Sequence, residues 1–234
     1  MILNNADNIM LGSSEVDRVY CGGVIVWERN SSPLPEGYTQ LNYIQSSGAQ
    51  YIKTGINPGG SDVKVQLKTA FTANGEQFLL CGYPPYGSLY SGYGLYFGQD
   101  SSNKLFIRIS HSGGGDADLF TPGNITVSPN DDYTVEINAA SGALTGSIND
   151  VIFSESIRNS PDLAFGLFAT GFDSAGIRAY ASAKMYFCKI WIGGTLSLNL
   201  IPCSRDADSK IGMYDTVSGS FLINGGSGAD FTGG

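Results

Sequence analysis

Residues 184–226 read KMYFCKIWIGGTLSLNLIPCSRDADSKIGMYDTVSGSFLINGG. In Lys184–Ile192 strict alternation places Tyr186, Cys188, Ile190 and Ile192 on one face, and Met185, Phe187, Lys189 and Trp191 on the other. Gly193-Gly194 can supply the positive φ angles of a two-residue hairpin turn. The return strand alternates Leu196, Leu198 and Leu200 with Thr195, Ser197 and Asn199, a half-buried pattern. After Ile201-Pro202-Cys203 come a polar loop, Ile211–Asp215, a short turn and Ser220–Leu222, which extend the same sheet. The face carrying Met185, Phe187 and Trp191 is also apolar, so residues 1–30 or another subunit should cover it.

Working outward, the same alternation recurs. Val63, Val65, Leu67, Thr69 and Phe71 share a face, as do Leu105, Ile107 and Ile109, and Tyr133, Val135 and Ile137. Further strands are expected at Gln77–Cys81, Gly94–Gly98, Ala143–Ile148, Val151–Ser154, Ala164–Ala169 and Gly176–Ala179, with turns at Asn74-Gly75, Pro122-Gly123, Ser141-Gly142 and Asn149-Asp150. No stretch of useful length has a helical period. Many short strands with frequent turns predict an all-β fold over residues 38–234, a two-sheet antiparallel sandwich or jelly roll.

Residues 29–37, with Pro33 and Pro35 in a polar run, interrupt any strand, so the linker is placed at 31–37. Before it, Asn8–Leu11, Glu15–Tyr20 and Val24–Glu28 read as three short strands of a small β-meander within residues 1–30, too small to bury a core alone.

The bulk numbers exclude several classes. Charged residues are 15% and hydrophobic residues 42%, which argues against disorder. The net charge is −8 and no basic cluster occurs, so nucleic acid is not an expected partner. Cys21, Cys81, Cys188 and Cys203 form no CxxC pair; they read as free thiols of a reducing cytosol, with a Cys188–Cys203 bridge as the alternative. The first residues have neither a basic nor an apolar signal-peptide region, and no apolar run approaches the roughly 18–20 residues of a membrane span. Neither secretion nor membrane insertion is expected, and the glycosylation patterns at Asn30 and Asn124 are read as chance.

Two stretches carry a resemblance. Residues 38–56 match the pattern YTxLxYIxSxGxQYIxTGI, through Tyr38, Leu41, Tyr43-Ile44, Ser46, Gly48, Gln50-Tyr51-Ile52 and Thr54-Gly55-Ile56. Near the C-terminus the matching residues are Tyr186, Lys189-Ile190, Ile201-Pro202-Cys203, Gly212–Asp215, Gly219 and Phe221. Together they resemble the concanavalin A-like, laminin-G-like jelly rolls of bacteriophage structural proteins and gut-bacterial surface proteins. Leu11-Gly12, Val16, Val19-Tyr20, Gly22 and Val26-Trp27 resemble a short element at the start of phage tail and appendage proteins. The resemblance implies a non-enzymatic virion structural protein of tail, fibre or capsid surface, made in the host cytoplasm. It would be anchored to other virion proteins by residues 1–30, would form a homo-oligomer, a trimer by preference, and would display a lectin-like domain for cell-surface polysaccharide. A purely architectural protein without a ligand is the alternative.

A glycan-degrading enzyme of this fold places carboxylates as Glu-x-Asp-x-Glu on one strand, and no such motif is present. His111 is the only histidine, sits beside a glycine run and has no GxSxG partner, so it reads as a surface loop residue. Calcium, which laminin-G-like domains sometimes carry, would draw on Asp116 and Asp118 or on Asp206 and Asp208, although neither loop has a full ligand pattern. No cofactor is expected otherwise. Tyr83, Tyr86, Tyr90 and Tyr93, in a Gly/Ser-rich setting, are candidates for glycan or subunit contact because tyrosine stacks on a sugar face and hydrogen-bonds through its hydroxyl. The competing reading is that they pack inward. Phe187, Trp191 and Trp27 are candidates for subunit or N-terminal packing.

Overall fold

The computed structural model describes residues 9–11, 14–16, 18–21, 24–28, 33–83, 92–111, 117–140, 142–173, 176–226 and 228–234. It divides into two compact units, 1–35 and 36–234. In the first, β1 (Ile9–Leu11) pairs with β2 (Ser14–Val16), and β3 (Arg18–Cys21) with β4 (Val24–Glu28), each antiparallel. The expected three-strand meander is thus two hairpins. The stretch foreseen as one middle strand splits, its first half pairing backward and its second half forward.

The second unit is a sandwich of two antiparallel sheets. The smaller has the order β12 (Ala117–Phe120), β11 (Leu105–His111), β10 (Tyr93–Gln99), β9 (Gln77–Tyr83), β16 (Ala164–Leu167), β7 (Ile52–Lys53). The larger runs β15 (Val151–Ser156), β14 (Ala143–Ile148), β13 (Tyr133–Ala140), β8 (Val63–Phe71), β19 (Ser182–Ile192), β20 (Thr195–Arg205), β21 (Lys210–Asp215), β22 (Ser220–Leu222). Beside that path, β5 (Tyr38–Gln40) joins β20, while β6 (Ile44–Ser47) joins both β19 and β23 (Thr232–Gly233). A further hairpin pairs β17 (Thr170–Asp173) with β18 (Gly176–Arg178). The one helical turn among the described residues is 3-10, at Pro122–Asn124.

Alternation makes the core. Val63, Val65 and Leu67 of β8 and Val135 and Ile137 of β13 belong to the same buried cluster as Leu95 and Phe97 of β10 and Ile107 and Ile109 of β11. The Gly193-Gly194 turn has φ angles of +54° and +81°, as a tight hairpin between right-twisted strands requires. In β19 the strict alternation breaks. Met185 pairs with Thr69 and Phe187 with Lys68, so Tyr186 is an extra, bulged residue. Met185 is therefore in the core, fully buried, and Tyr186 turns outward, where its hydroxyl donates to Asp132 Oδ1 at 2.7 Å. This reverses the expected faces of both residues and leaves Cys188 and Ile190 inward as expected.

All four cysteines are free thiols; Cys21 is exposed and the other three are buried. Cys188 faces Leu200 across the ladder and Cys203 faces Gly212, so no bridge joins them. Burial pushes the Cys188 thiol up to about 12, which makes it unreactive.

The pattern at residues 38–56 is a fastening. Gln50 is 2% exposed; its Oε1 accepts from Ser46 Oγ and Ser47 N, and its Nε2 donates to the Ala229 carbonyl at 2.9 Å. Tyr51 donates its hydroxyl to the Gly225 carbonyl. These bonds tie the first strands of the domain to its last residues. Gln50→Leu keeps the volume but strands these buried groups, at about 2 kcal/mol. Hydrogen exchange is expected to rise in residues 224–233 ahead of the rest of the domain; uniform exchange would contradict the fastening.

Candidate functional site

On the outer face of the larger sheet, the start of β8, the end of β13 and the end of β19 lie side by side, because Trp191 pairs with Lys64 and Asn138 pairs with Lys64 from the other side. Their outward residues surround a cavity of about 530 Å³, lined by Asp62, Val63, Lys64, Asn138, Ala140, Trp191 and Gly194. The β19–β20 turn is held at its rim by the Gly193 N–H, which donates to the Asp62 carbonyl at 2.9 Å.

Glu136 organises the polar side of this region. Its carboxylate accepts from Gln66 Nε2 and from Asn138 Nδ2, and pairs with Lys64 Nζ at 3.1 Å. Those partners, Gln66 first, hold its pKa below the usual carboxylate value. Lys64 and Asn138 are thereby fixed in place. Lys64 Nζ also lies 5.6 Å from the centre of the Trp191 ring. Half-buried Trp191, together with Asn138, Lys64 and Asp62, thus borders one hollow. An aromatic plate with a few fixed polar groups suits a polyhydroxylated ligand. Asp62 is the single carboxylate among the lining residues.

Phe187 is half-buried on this same face, opposite Lys68. Trp27 lies in β4, and its side chain falls outside the described residues. The tyrosines separate. Tyr83 is 7% exposed in a cluster on the outer face of the smaller sheet, with Lys53 Nζ 5.8 Å from its ring. Tyr93, half-buried, packs against the main core and edge-on to His111, with ring centres 5.3 Å apart. His111 is itself half-buried at the end of β11 rather than in a surface loop. Tyr86 and Tyr90 lie outside the described residues.

Of the calcium candidates, Asp116 is also outside the described residues. Asp118 is engaged by Arg158, through Nε at 2.9 Å and the backbone N–H at 3.0 Å. Asp206 accepts from Thr39 Oγ1 at 2.9 Å. Asp208 takes both Nε and Nη2 of Arg205, which depresses its pKa to about 2. Asp62, Lys64 and Asn138 were not singled out from the sequence. Their one signal was the outward phase of Lys64 and Asn138 within strands whose inward phase was plain.

No protein-family model matches the chain, and no curated protein matches it in sequence. Solved structures do. The CBM40 module of the Ruminococcus gnavus IT-sialidase, bound to α2,3-sialyllactose, is 10% identical, with a TM-score of 0.52 over 65% of this chain and 91% of that one. Another structure of the same module gives 9% identity and a TM-score of 0.50, covering 66% and 90%. Tailspike protein 2 of an Escherichia coli O157:H7 bacteriophage is more distant, with 14% identity and a TM-score of 0.45 over 69% of this chain and 27% of that one. At such identities the CBM40 likeness bears on architecture alone, and the architecture it shows is the two-sheet jelly roll.

Proposed function

We propose that residues 38–234 form a non-catalytic polysaccharide-binding domain and that the Trp191 cavity holds the sugar. The observation that carries this reading is that Trp191 borders one hollow with Lys64, Asn138 and Asp62. An indole offers its apolar face to a pyranose ring, while the amide and ammonium meet hydroxyls. A carbohydrate-bound module on the same fold supports it. The wider proposal is a bacteriophage virion protein of tail, fibre or capsid surface, attached through residues 1–30 and displayed as a homo-oligomer, with a trimer preferred. Its support is the sequence pattern of residues 11–27 together with that of the jelly roll.

A glycan array probed with the full chain tests the binding. At least one neutral oligosaccharide class is expected to bind, with or without a calcium chelator, and to survive incubation without release of reducing ends. Trp191→Ala is expected to lower that affinity roughly tenfold, about 1.4 kcal/mol, and Trp191→Phe by less. A blank array would favour the architectural alternative. Undiminished binding by Trp191→Ala would remove the cavity from the account. Light scattering of the same sample reads the oligomer.

A further inference from the structure

The outer face of the smaller sheet carries a second feature, built from residues that the cavity does not use. Ile107 and Ile109 of β11 point into the core, so Arg108 between them points out. There Phe78, Tyr96 and Phe106, exposed by 4–7%, form a tight aromatic floor. Phe78 meets Tyr96 edge-on at 6.0 Å and Phe106 at 5.3 Å. The Arg108 guanidinium lies over this floor, 5.0 Å from the Tyr96 ring centre and 5.8 Å from that of Phe78.

Arg108 differs from four other described cations of this acidic chain. Lys64, Lys68, Arg158 and Arg205 each reach a carboxylate. Arg108 reaches none among the described residues, and its Nε is buried without a hydrogen-bond acceptor. In a protein with 21 acids against 13 bases, carboxylates are plentiful, and none of those among the described residues pairs with Arg108. The Nε faces the protein, so this half-buried side chain can meet a partner from outside only through its Nη edge. The neighbouring β12 residue is Leu119, paired with Arg108 across the ladder and 60% exposed, which offers an apolar contact beside the charge.

We infer that Arg108 is the centre of a second ligand site, which takes the carboxylate of an acidic sugar. The fork of the guanidinium is planar, and its aromatic floor holds the plane flat. A planar carboxylate matches that fork with two parallel hydrogen bonds, whereas an ammonium would present only a point charge. Leu119 supports the apolar edge of the sugar ring. The site adds acidic polysaccharides to the proposed binding function, but it lies on the other sheet and shares no residue with the Trp191 cavity.

Titration calorimetry of the full chain with trigalacturonic acid, a sulfated galactose trisaccharide and neutral maltotriose tests it. Trigalacturonic acid is expected to bind roughly tenfold or more tightly than maltotriose at low salt, and less tightly as sodium chloride rises. Arg108→Met and Arg108→Lys should each lower that affinity about tenfold or more, while both variants melt no lower than the parent. Trp191→Ala should leave the preference for trigalacturonic acid over maltotriose in place, so that loss of the cavity and loss of this site are read separately. Equal affinity of parent and Arg108→Met for the acid would overturn the proposal. So would no preference for the acid over maltotriose. Tighter binding of the sulfated sugar would overturn the carboxylate assignment. An Arg108→Lys variant that melts well below the parent would show that the guanidinium serves only as packing.

Discussion

Asp215→Ala is expected to destabilise the jelly roll by about 3 kcal/mol. The carboxylate is 2% exposed. Its Oδ1 accepts the N–H groups of Asn199 at 2.9 Å and Val217 at 3.1 Å; its Oδ2 accepts the Ser218 N–H at 3.1 Å and the Ser218 hydroxyl at 2.6 Å. One side chain therefore closes the β21–β22 turn and stitches it to β20. Alanine leaves three backbone donors short of an acceptor in a site that water reaches poorly. For a chain of this size the melting temperature should fall on the order of 10 °C. Asp215→Asn, which keeps one carbonyl oxygen, should lose less. A thermal melt of Asp215→Ala within 2 °C of the parent would show that water replaces the carboxylate.

Gly98→Ala is the second large effect, and its origin is steric. Between Phe97 and Gly98 the β10–β9 register slips by one residue, and Gly98 comes opposite Phe78. A Cβ built on Gly98 would stand 2.0 Å from the Gln77 carbonyl oxygen and 3.1 Å from the Phe78 Cα. Both are backbone atoms, so no side chain can swing aside. The two strands must part, with loss of ladder bonds and of the aromatic packing on the outer face, at about 3 kcal/mol. Urea unfolding should show the midpoint shifted down with an unchanged slope. An unshifted midpoint would mean that the slip relaxes without cost.

The two effects fall on residues of different visibility in the sequence. Asp215 stands in a stretch, Gly212–Asp215, that matched a family pattern, and its structure explains the match as a turn closed by a carboxylate. Gln50 is the same kind of case. Its pattern was visible, but its partners at 229 and 230 lie about 180 residues away, and nothing local reports them. Gly98 read as one glycine of a strand, and only the slipped register gives it a collision.

The alternation of β8, β11 and β13 was legible because burial on one face imposes a period of two, so these strands and their inward faces follow from residue order alone. Tyr186 shows where that stops. An inserted residue turns the chain over, and nothing in KMYFC marks which residue is surplus. Tyr83 and Tyr93 looked like one aromatic surface, but the first lies on the outer face of the smaller sheet and the second against the core. The cavity was out of reach of any local reading, since residues 62–64, 138–140 and 191–194 meet only through the strand order β13–β8–β19. Period and turn chemistry act between neighbours along the chain, and they settled the class of fold. The sites depend on which strands lie side by side, a competition among distant segments for the same hydrogen bonds, and only the assembled sandwich resolves it.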